Sequence, residues 1–359
     1  MKDHILVVGG YGHVGRLICQ QLGNLYPDKV IAAGRSFSKA REFCSTTNGS
    51  VIPLELDITK SLPSDLFETV RIVVMCLDQK DTGFIQACFA NNVDYIDISA
   101  NHSFLSRIEE LQTEAMNHKT AAVLSVGLAP GLTNLLARHT KSYLDNTEEM
   151  DIYVMLGLGD RHGRAAIEWT IDNLNTRFQV YSNWEKVNVD TFSSGKTTYF
   201  GKELGERKGY RFYFSDQNSL PHTLQIPTVS TRLCFDSKVI TYVIMLLKRV
   251  GIFRLIKYQS IRKVMVWLFS KIRWGKELYA LKIDAFGEVS GKRVKAECSI
   301  QGRQEALLTA KIAAKLTEKL YTMKGLNGIY HLEELFDIDS FYPDVIAPHV
   351  RITEYRNNS

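Results

Sequence analysis

Between residues 7 and 16 the chain reads Val7-Val8-Gly9-Gly10-Tyr11-Gly12-His13-Val14-Gly15-Arg16, which sets Gly10, Gly12 and Gly15 in a G-x-G-x-x-G spacing. Glycines at these intervals, after a β-branched run and ahead of a helix-like stretch, suit the holding of a dinucleotide pyrophosphate. The first permits a tight turn, the second lets backbone N–H groups approach the anion, and the third allows close helix–strand packing. The helix N-terminus adds partial positive charge from its unpaired N–H groups. Tyr11, His13 and Val14 complete the loop. The competing reading is a glycine-rich turn that merely packs.

Which dinucleotide is decided about 20 residues further on, where an NAD site places Asp or Glu for the ribose 2′-hydroxyl. Here the chain reads Ala33-Gly34-Arg35-Ser36, followed by Lys39 and Arg41. A guanidinium in place of the acid can stack on adenine and bond a 2′-phosphate, so Arg35 and Ser36 point to NADP(H) unless Arg35 is only a solvated loop charge. Asp57 and Cys76-Leu77 follow the third and fourth strand-like runs, where the adenine and nicotinamide halves would lie.

Further along, Gly127-Leu128-Ala129-Pro130-Gly131-Leu132-Thr133-Asn134 turns the chain at Pro130-Gly131 and starts a helix at Thr133-Asn134, whose free N–H groups could hold a substrate carboxylate. An N-cap and turn is the plainer account of the same residues. The loop Gly157-Leu158-Gly159-Asp160-Arg161-His162-Gly163-Arg164 offers His162 as a proton donor. Arg232 could clamp a carboxylate bidentately, or make an ordinary ion pair with Asp236 or a Glu. Ser99, at the carboxyl end of the fifth run, joins His162 and Arg232 as a candidate catalytic residue, because ligands of open α/β sheets bind beyond those ends.

The elements that must position these residues alternate. Short β-branched runs at 5–8, 30–33, 51–56, 72–75, 95–98 and 122–126 are separated by helix-like stretches, the pattern of a doubly wound parallel sheet. Beyond about residue 128, longer strand-like stretches at 151–158, 210–214 and 281–300, the last with a turn at Ser290-Gly291-Lys292, imply a mixed or antiparallel sheet. The expected architecture is α/β: a Rossmann-type domain over residues 1–128, completed by 304–359, and a second α/β (α+β) domain over 129–303 for substrate and dimerisation. A helix is expected at 304–322, stopping before Gly325.

With 359 residues, 45% hydrophobic and 23% charged, the chain can bury a sizeable core, which excludes fibrous and disordered classes. Six cysteines without a CxxC pair, and no secretory leader, point to reduced thiols and a cytoplasmic protein. No HExxH or zinc-spaced His/Cys set occurs, so no metal is expected. None of the sixteen tyrosines has Lys four residues on, which removes the Tyr-x-x-x-Lys machinery of short-chain dehydrogenases. No DNA-reading motif or base-stacking platform supports nucleic-acid binding.

Charge is uneven. Residues 238–276 hold ten Lys and Arg and no acid, in a chain of net charge +5. The longest apolar run there, 239–247, is too short to span a bilayer. Two or three short helices are expected, with Val243, Ile244, Leu247, Ile252, Leu255, Ile256, Val264, Trp267, Leu268 and Ile272 buried in the protein's own core or a homodimer interface. The alternative is a helix lying on an anionic membrane, peripheral to its inner face, with Trp267 or Trp274 at headgroup level.

Taken with the glycine loop, Leu56-Asp57-Ile58-Thr59, Val93-Asp94-Tyr95-Ile96-Asp97-Ile98-Ser99 and the 127–134 segment, the chain resembles the saccharopine dehydrogenase (saccharopine reductase-like) family over residues 1–140. A weaker collinear likeness resumes at 304–322 and Gly328-Ile329-Tyr330-His331-Leu332. The resemblance implies a Rossmann domain, a second domain that often dimerises, and NADPH-dependent reduction of an imine joining an amino acid or amine to a carbonyl partner. From the ribose position we expect NADPH to bind at least about tenfold more tightly than NADH, which is about 1.4 kcal/mol and within reach of one charge-assisted phosphate contact. Equal affinities by calorimetry would remove that role from Arg35.

Overall fold

The computed structural model describes residues 2–271, 275–341 and 349–354. Strand β1 (His4–Val8) runs through the glycine loop into α1 (Gly15–Leu25). Then come β2 (Val30–Gly34), α2 (Phe37–Cys44), β3 (Val51–Glu55), β4 (Val70–Met75), α3 (Gly83–Ala90), β5 (Asp94–Asp97), α4 (His102–Glu109), α5 (Gln112–Asn117) and β6 (Ala121–Leu124). The middle of the chain forms α6 (Thr133–Lys141), β7 (Asn146–Leu156), α7 (Arg164–Asp172), β8 (Arg177–Ser182), β9 (Glu185–Asp190), β10 (Lys196–Tyr199), β11 (Glu206–Arg211), α8 (Asp216–Thr223) and β12 (Thr228–Phe235). Helices α9 (Lys238–Arg249) and α10 (Gln259–Lys271) flank a 3-10 turn at Ile252–Lys257 and precede the hairpin β13 (Tyr279–Val289) and β14 (Lys292–Gly302). Last are α11 (Glu305–Thr322), β15 (Gly328–His331), α12 (Leu332–Leu335) and β16 (His349–Glu354). Two compact units result: Met1–Gly131 with Ala306–Leu335, and Leu132–Glu305 with Phe336–Ser359.

The first unit is built on a seven-stranded sheet ordered β15-β6-β5-β4-β1-β2-β3, every neighbouring pair parallel. Helices cover both faces of such a sheet, so Ile5, Leu6, Val7 and Val8 are all buried and read as a continuous apolar run instead of alternating. Helix α1 buries Gly15, Ile18, Cys19, Leu22 and Gly23, the stripe that a 3.6-residue period places on one side. From β1 the chain builds β2 and β3 to one side, then returns to place β4 on the other. The carboxyl ends of β1 and β4 therefore bound the crevice of a topological switch point. The six strands expected from the sequence are present; the seventh, β15, comes from a four-residue run too short to carry a period of its own.

The second unit has a mixed sheet ordered β10-β11-β12-β7-β13-β14-β16, with β12 and β7 parallel and the other neighbours antiparallel. The β13–β14 turn has Ser290 at φ 52° and Gly291 at φ 75°, the left-handed pair that a two-residue hairpin requires. Helix α6 packs on β7, β13 and β14, and α8 on β12, covering one face. The opposite face carries Asp151, Arg232, Lys282, Asp284 and Glu297, a set that strand alternation would send to water. All but the half-buried Glu297 are instead buried, under β10: Lys196 pairs with Asp151 and reaches Glu149 at 3.3 Å, Thr198 Oγ1 donates to Asp284 at 2.9 Å, and Lys282 Nζ donates to the Tyr199 carbonyl at 2.9 Å. Gly195-Lys196-Thr197, which superficially resembles the end of a phosphate loop, leads into this strand.

The basic segment forms the expected short helices but does not bury the expected residues. Of the apolar side chains named for it, Ile244 is buried, Leu247 and Ile256 are half-buried, and Val243, Ile252, Leu255, Val264, Trp267 and Leu268 are exposed. Ile272 and Trp274 lie outside the described residues. The own-core reading therefore fails for most of this face, because the surfaces turned inward are those around Thr241, Ile244 and Phe253.

Asp151 is fully buried and its carboxylate pairs with the Arg232 guanidinium, itself only 6% exposed. Removing one partner of such a pair strands the other charge, at a cost of about 3–5 kcal/mol. Asp151→Ala should lower stability to urea by about 3 kcal/mol or more. A loss below about 1 kcal/mol, the size of a surface pair, would show that the pair does not hold this face together.

Candidate functional site

Three glycines of the first loop fold around one atom. A Cβ on Gly12 would stand 2.9 Å from the Gly9 carbonyl oxygen, and one on Gly15 would stand 2.2 Å from it. The turn itself is made by Gly9, at φ 83°, one residue earlier than the G-x-G-x-x-G spacing suggests. Gly10 serves a different need, since its Cβ would lie 2.7 Å from Ala32 Cα of β2. Helix α1 begins with no side-chain cap and no acid in its first turn. The Arg16 and Leu17 N–H groups donate to the Gly12 and Val14 carbonyls at 3.1 and 3.0 Å, and no side-chain carboxylate offsets the partial positive charge of the helix start. Arg16, which the sequence reading passed over, folds back and donates from Nη2 to the Tyr11 carbonyl at 3.1 Å and from Nε to the Gly12 carbonyl at 3.3 Å. It sets a cation on the loop; His13 and Val14 complete the rim.

The ribose position is built by Tyr11. Its ring lies against Gly34, where a Cβ would come within 2.5 Å of Cε1, and its hydroxyl accepts the Ser36 N–H at 3.0 Å. Ser36 in turn caps α2, accepting the Lys39 N–H at 3.5 Å, and no acid stands in the first turn of that helix. Arg35 is exposed beside this start. Asp57, after β3, accepts from Thr59 Oγ1 at 2.7 Å and Thr59 N–H at 3.1 Å; these bonds, with Lys60 and Arg35 adding to them, hold its carboxyl below the usual range. A loop that no side chain could enter, an uncapped helix start and a cationic rim without an acid at the ribose position fit a dinucleotide with an additional phosphate.

At the end of β4, Leu77 closes on Gly9, its Cδ2 lying 2.9 Å from where a Cβ would be. The Cys76 thiol is pushed far above its ordinary pKa by burial, so it is neutral packing and not a nucleophile. Beyond β5 lies a group the sequence reading missed. Asp97 is fully buried, accepts from Tyr95 Oη at 2.8 Å, Gln79 Nε2 at 3.3 Å and the Ser99 N–H at 2.7 Å, and its carboxyl is raised to about 7 by burial, against the bonds from Tyr95 and Ser99. Ser99 Oγ accepts the Asn101 N–H at 3.2 Å. The usable signal was Asp97 itself, an acid closing an apolar strand run at its carboxyl end.

Also in the first unit, Ser125 Oγ lies 2.8 Å from His331 Nδ1, and His331 Nε2 lies 3.0 Å from Glu109. The order serine–histidine–acid matches a hydrolytic triad, but its burial is inverted: Ser125 is fully buried whereas the acid is exposed. The set locks β15 to β6 and presents no nucleophile. Pro130, after a cis peptide bond, and Gly131, at φ 131°, turn back on the same strand end, where a Cβ on Gly131 would meet the Ser125 carbonyl at 3.1 Å.

In the second unit Thr133 and Asn134 are buried at the start of α6, and Asn134 Nδ2 donates to Ser219 Oγ of α8 at 3.4 Å. Around them gathers a buried polar cluster that the sequence did not announce. Thr231 Oγ1 donates to Asp216 at 2.6 Å, Gln217 bonds the Phe212 and Phe214 carbonyls, and Ser215 Oγ and Asn218 Nδ2 are buried without a partner among the described residues. Arg232 is not part of this cluster. It follows Thr231 on β12 and so projects from the opposite face, where Asp151 takes its guanidinium. Its partner is neither Asp236, which accepts from the Leu158 and Lys276 N–H groups, nor a Glu. His162 is likewise engaged at both nitrogens: Nε2 is 3.2 Å from the Gly157 carbonyl and Nδ1 is 3.1 Å from Glu305. Burial alone would lower the His162 pKa, but Glu305 and the Gly157 carbonyl carry it above the usual value. The ring ties the loop to the helix start.

Residues 5–123 match the family model described as saccharopine dehydrogenase NADP binding domain. Among solved structures, the apo histidine-tagged saccharopine dehydrogenase (L-Glu forming) from Saccharomyces cerevisiae is similar over 99% of this chain and 100% of its own, at 13% identity and a TM-score of 0.67. A meso-dapdh mutant with DAP from Clostridium tetani E88 matches over 95% and 97% at 13% identity, TM-score 0.44. DAP dehydrogenase of C. glutamicum in complex with DAP matches over 96% and 97% at 11% identity, TM-score 0.46. At 13% identity the likeness to the Saccharomyces cerevisiae structure is one of fold. No curated protein matches the chain.

The raised carboxyl of Asp97 gives a signed pH dependence. Because its folded pKa of about 7 exceeds the unfolded value of about 3.9, its contribution is complete below the unfolded pKa and is lost as pH rises through the folded one. Three pH units are worth roughly 4 kcal/mol. The stability of the wild type relative to Asp97→Asn, read from urea midpoints, should therefore fall between about pH 4 and pH 7. A difference that does not change with pH would mean that Asp97 ionises as an ordinary surface acid.

Proposed function

With a saccharopine dehydrogenase NADP binding domain over residues 5–123 as the premise, we propose that the protein is an NADP(H)-dependent oxidoreductase acting on a C–N bond, that of an imine or secondary amine formed from an amino acid or amine and a carbonyl compound. The observation that carries the reading is the double cradle of the first unit: glycines wrapped on the Gly9 carbonyl for the pyrophosphate, and the Tyr11–Ser36–Arg35 platform at the start of α2 for the additional phosphate. Bound NADPH supplies the hydride that reduces the carbon of the imine.

The chain's residues have the remaining tasks. Asp97 directs the Ser99 backbone and Gln79 at the carboxyl ends of β4 and β5, and carries a proton below neutral pH. In the second unit, the unpartnered Ser215 and Asn218 at the start of α8 supply donors for a substrate carboxylate beside Asn134. Substrate binding and pairing of two copies fall to this unit. Six free cysteines, none in a disulfide, accord with a cytoplasmic protein. No helix among the described residues is long and apolar enough to cross a membrane.

One observation favours a second reading, an NADP-sensing protein without catalysis: His162 and Arg232 are both committed to partners inside the second unit. Incubation with NADPH and pools of amino acids plus 2-oxo acids or aldehydes separates the two. Loss of nicotinamide absorbance with at least one pair is expected. Arg35→Ala should reduce the preference for NADPH over NADH by about tenfold, the worth of one charge-assisted contact. Tight NADPH binding with no turnover across all pools would replace the enzyme with the sensor.

A further inference from the structure

Eleven of the twenty exposed large apolar side chains among the described residues lie between positions 239 and 268, so this exposure is concentrated and not the scatter of an ordinary surface. On α9 they are Val239, Tyr242, Val243, Leu246 and, just past its end, Val250; on α10 they are Val264, Trp267 and Leu268. The spacings of three and four residues place each set on one side of its helix. In the turn between, Ile252, Leu255 and Tyr258 continue the exposed set. Val239 is 70% exposed and Trp267 57%, so these helices carry their apolar stripes outward.

The inner side of α9 is held by burial, and α10, which buries no residue, is held by packing and polar contacts. Thr241, Ile244 and Phe253 are buried, and α9 packs on β11 and β12 while α10 packs on α7. Arg262 grips Asp172 through two bonds of 2.6 and 2.7 Å, and Lys248 donates to Asn175 at 2.7 Å. The inner cations thus have partners in the second unit. The outer ones, Lys238, Arg249, Arg254, Lys257, Lys263 and Lys271, are exposed and make no ion pair among the described residues, and no acid occurs anywhere from 238 to 276.

We infer that this platform docks on an anionic lipid bilayer, α9 and α10 lying in the interface with their apolar stripes among the acyl chains and the outer cations at the phosphates. Exposed apolar residues alone would serve a second copy of the chain equally well. The charge selects the occupant: two copies of an acid-free patch carrying six unpaired cations repel one another, whereas an anionic surface neutralises them. Tyr242, Tyr258 and Trp267, amphipathic rings on the exposed sides, suit the headgroup level.

The test is co-sedimentation of the full chain with vesicles of phosphatidylglycerol and phosphatidylcholine, or of phosphatidylcholine alone, at about 0.05 and about 0.5 M salt. Binding to the anionic vesicles is expected at the lower salt, weaker at the higher, and slight to phosphatidylcholine alone. Trp267→Ser with Leu268→Ser, and separately Lys257→Glu with Lys263→Glu, should each lower the partition coefficient at least about tenfold, with thermal melts and NADPH binding unchanged. No binding to anionic vesicles at low salt, or unaltered binding by the folded charge-reversal variant, would overturn the inference. So would a wild-type dimer by sedimentation equilibrium that the Lys257→Glu, Lys263→Glu variant strengthens and Leu246→Asp splits, since a second copy would then cover the platform.

Discussion

The Gly9 carbonyl oxygen occupies the space that side chains at positions 12 and 15 would need, and much of the first unit follows from that crowding. Gly9 must take a positive φ to turn the chain off β1, which brings its carbonyl into the mouth of the loop and lets α1 start directly above the strand. Because α1 is close, its uncapped N-terminus is close too, and the positive potential needed for a pyrophosphate arises from the backbone. The same economy governs the neighbouring strand end. Gly34 lacks a side chain so that the Tyr11 ring can lie on it, and from there the Tyr11 hydroxyl orders Ser36 and the beginning of α2.

In the second unit the organising constraint is electrostatic. Burying Asp151, Arg232, Lys282 and Asp284, with Glu297 half-buried beside them, on one face of a sheet is tolerable only if each charge meets an opposite one, because an isolated ion in that environment costs several kcal/mol. The pairing ties β7, β12, β13 and β14 to β10, and Glu297, in spite of its partial burial, is held down to about 2 by Lys282 and Lys295. The network also consumes Arg232, the side chain that looked best suited to gripping a carboxylate. On the opposite face Asn134 bonds Ser219, and Ser215 Oγ and Asn218 Nδ2 lie buried near it without a partner among the described residues.

The platform of α9 and α10 shows a third balance. A helix usually hides its apolar stripe, and here the buried side of α9 reduces to Thr241 and Ile244 while the larger stripe faces outward between unpaired cations. Such a surface is costly in water and useful against a phase that offers both hydrocarbon and negative charge.

Local rules made part of this protein legible from its residues alone. The alternation of buried runs and helices, the glycine loop and the cation replacing an acid after β2 are short-range features, each set by neighbours within a few positions, and so they can be read without the fold. The turn at Ser290-Gly291 belongs with them, because a left-handed pair is a local requirement. Which glycine makes the turn after β1 could not be read in this way, since Gly9 and Gly10 differ only in what lies across from them: Leu77 for one and Ala32 for the other. The fates of His162, Arg232 and Asp97 were undetermined for the same reason. A histidine in a glycine-rich loop becomes a tie because Glu305 arrives from 143 positions away, an arginine becomes structural because Asp151 faces it across a strand pair, and an aspartate acquires a carboxyl near neutrality because the packed sheet buries it, against the bonds that Tyr95 and Ser99 donate. Partners distant in sequence set the energy of a charge, and only the tertiary structure decides which partners those are.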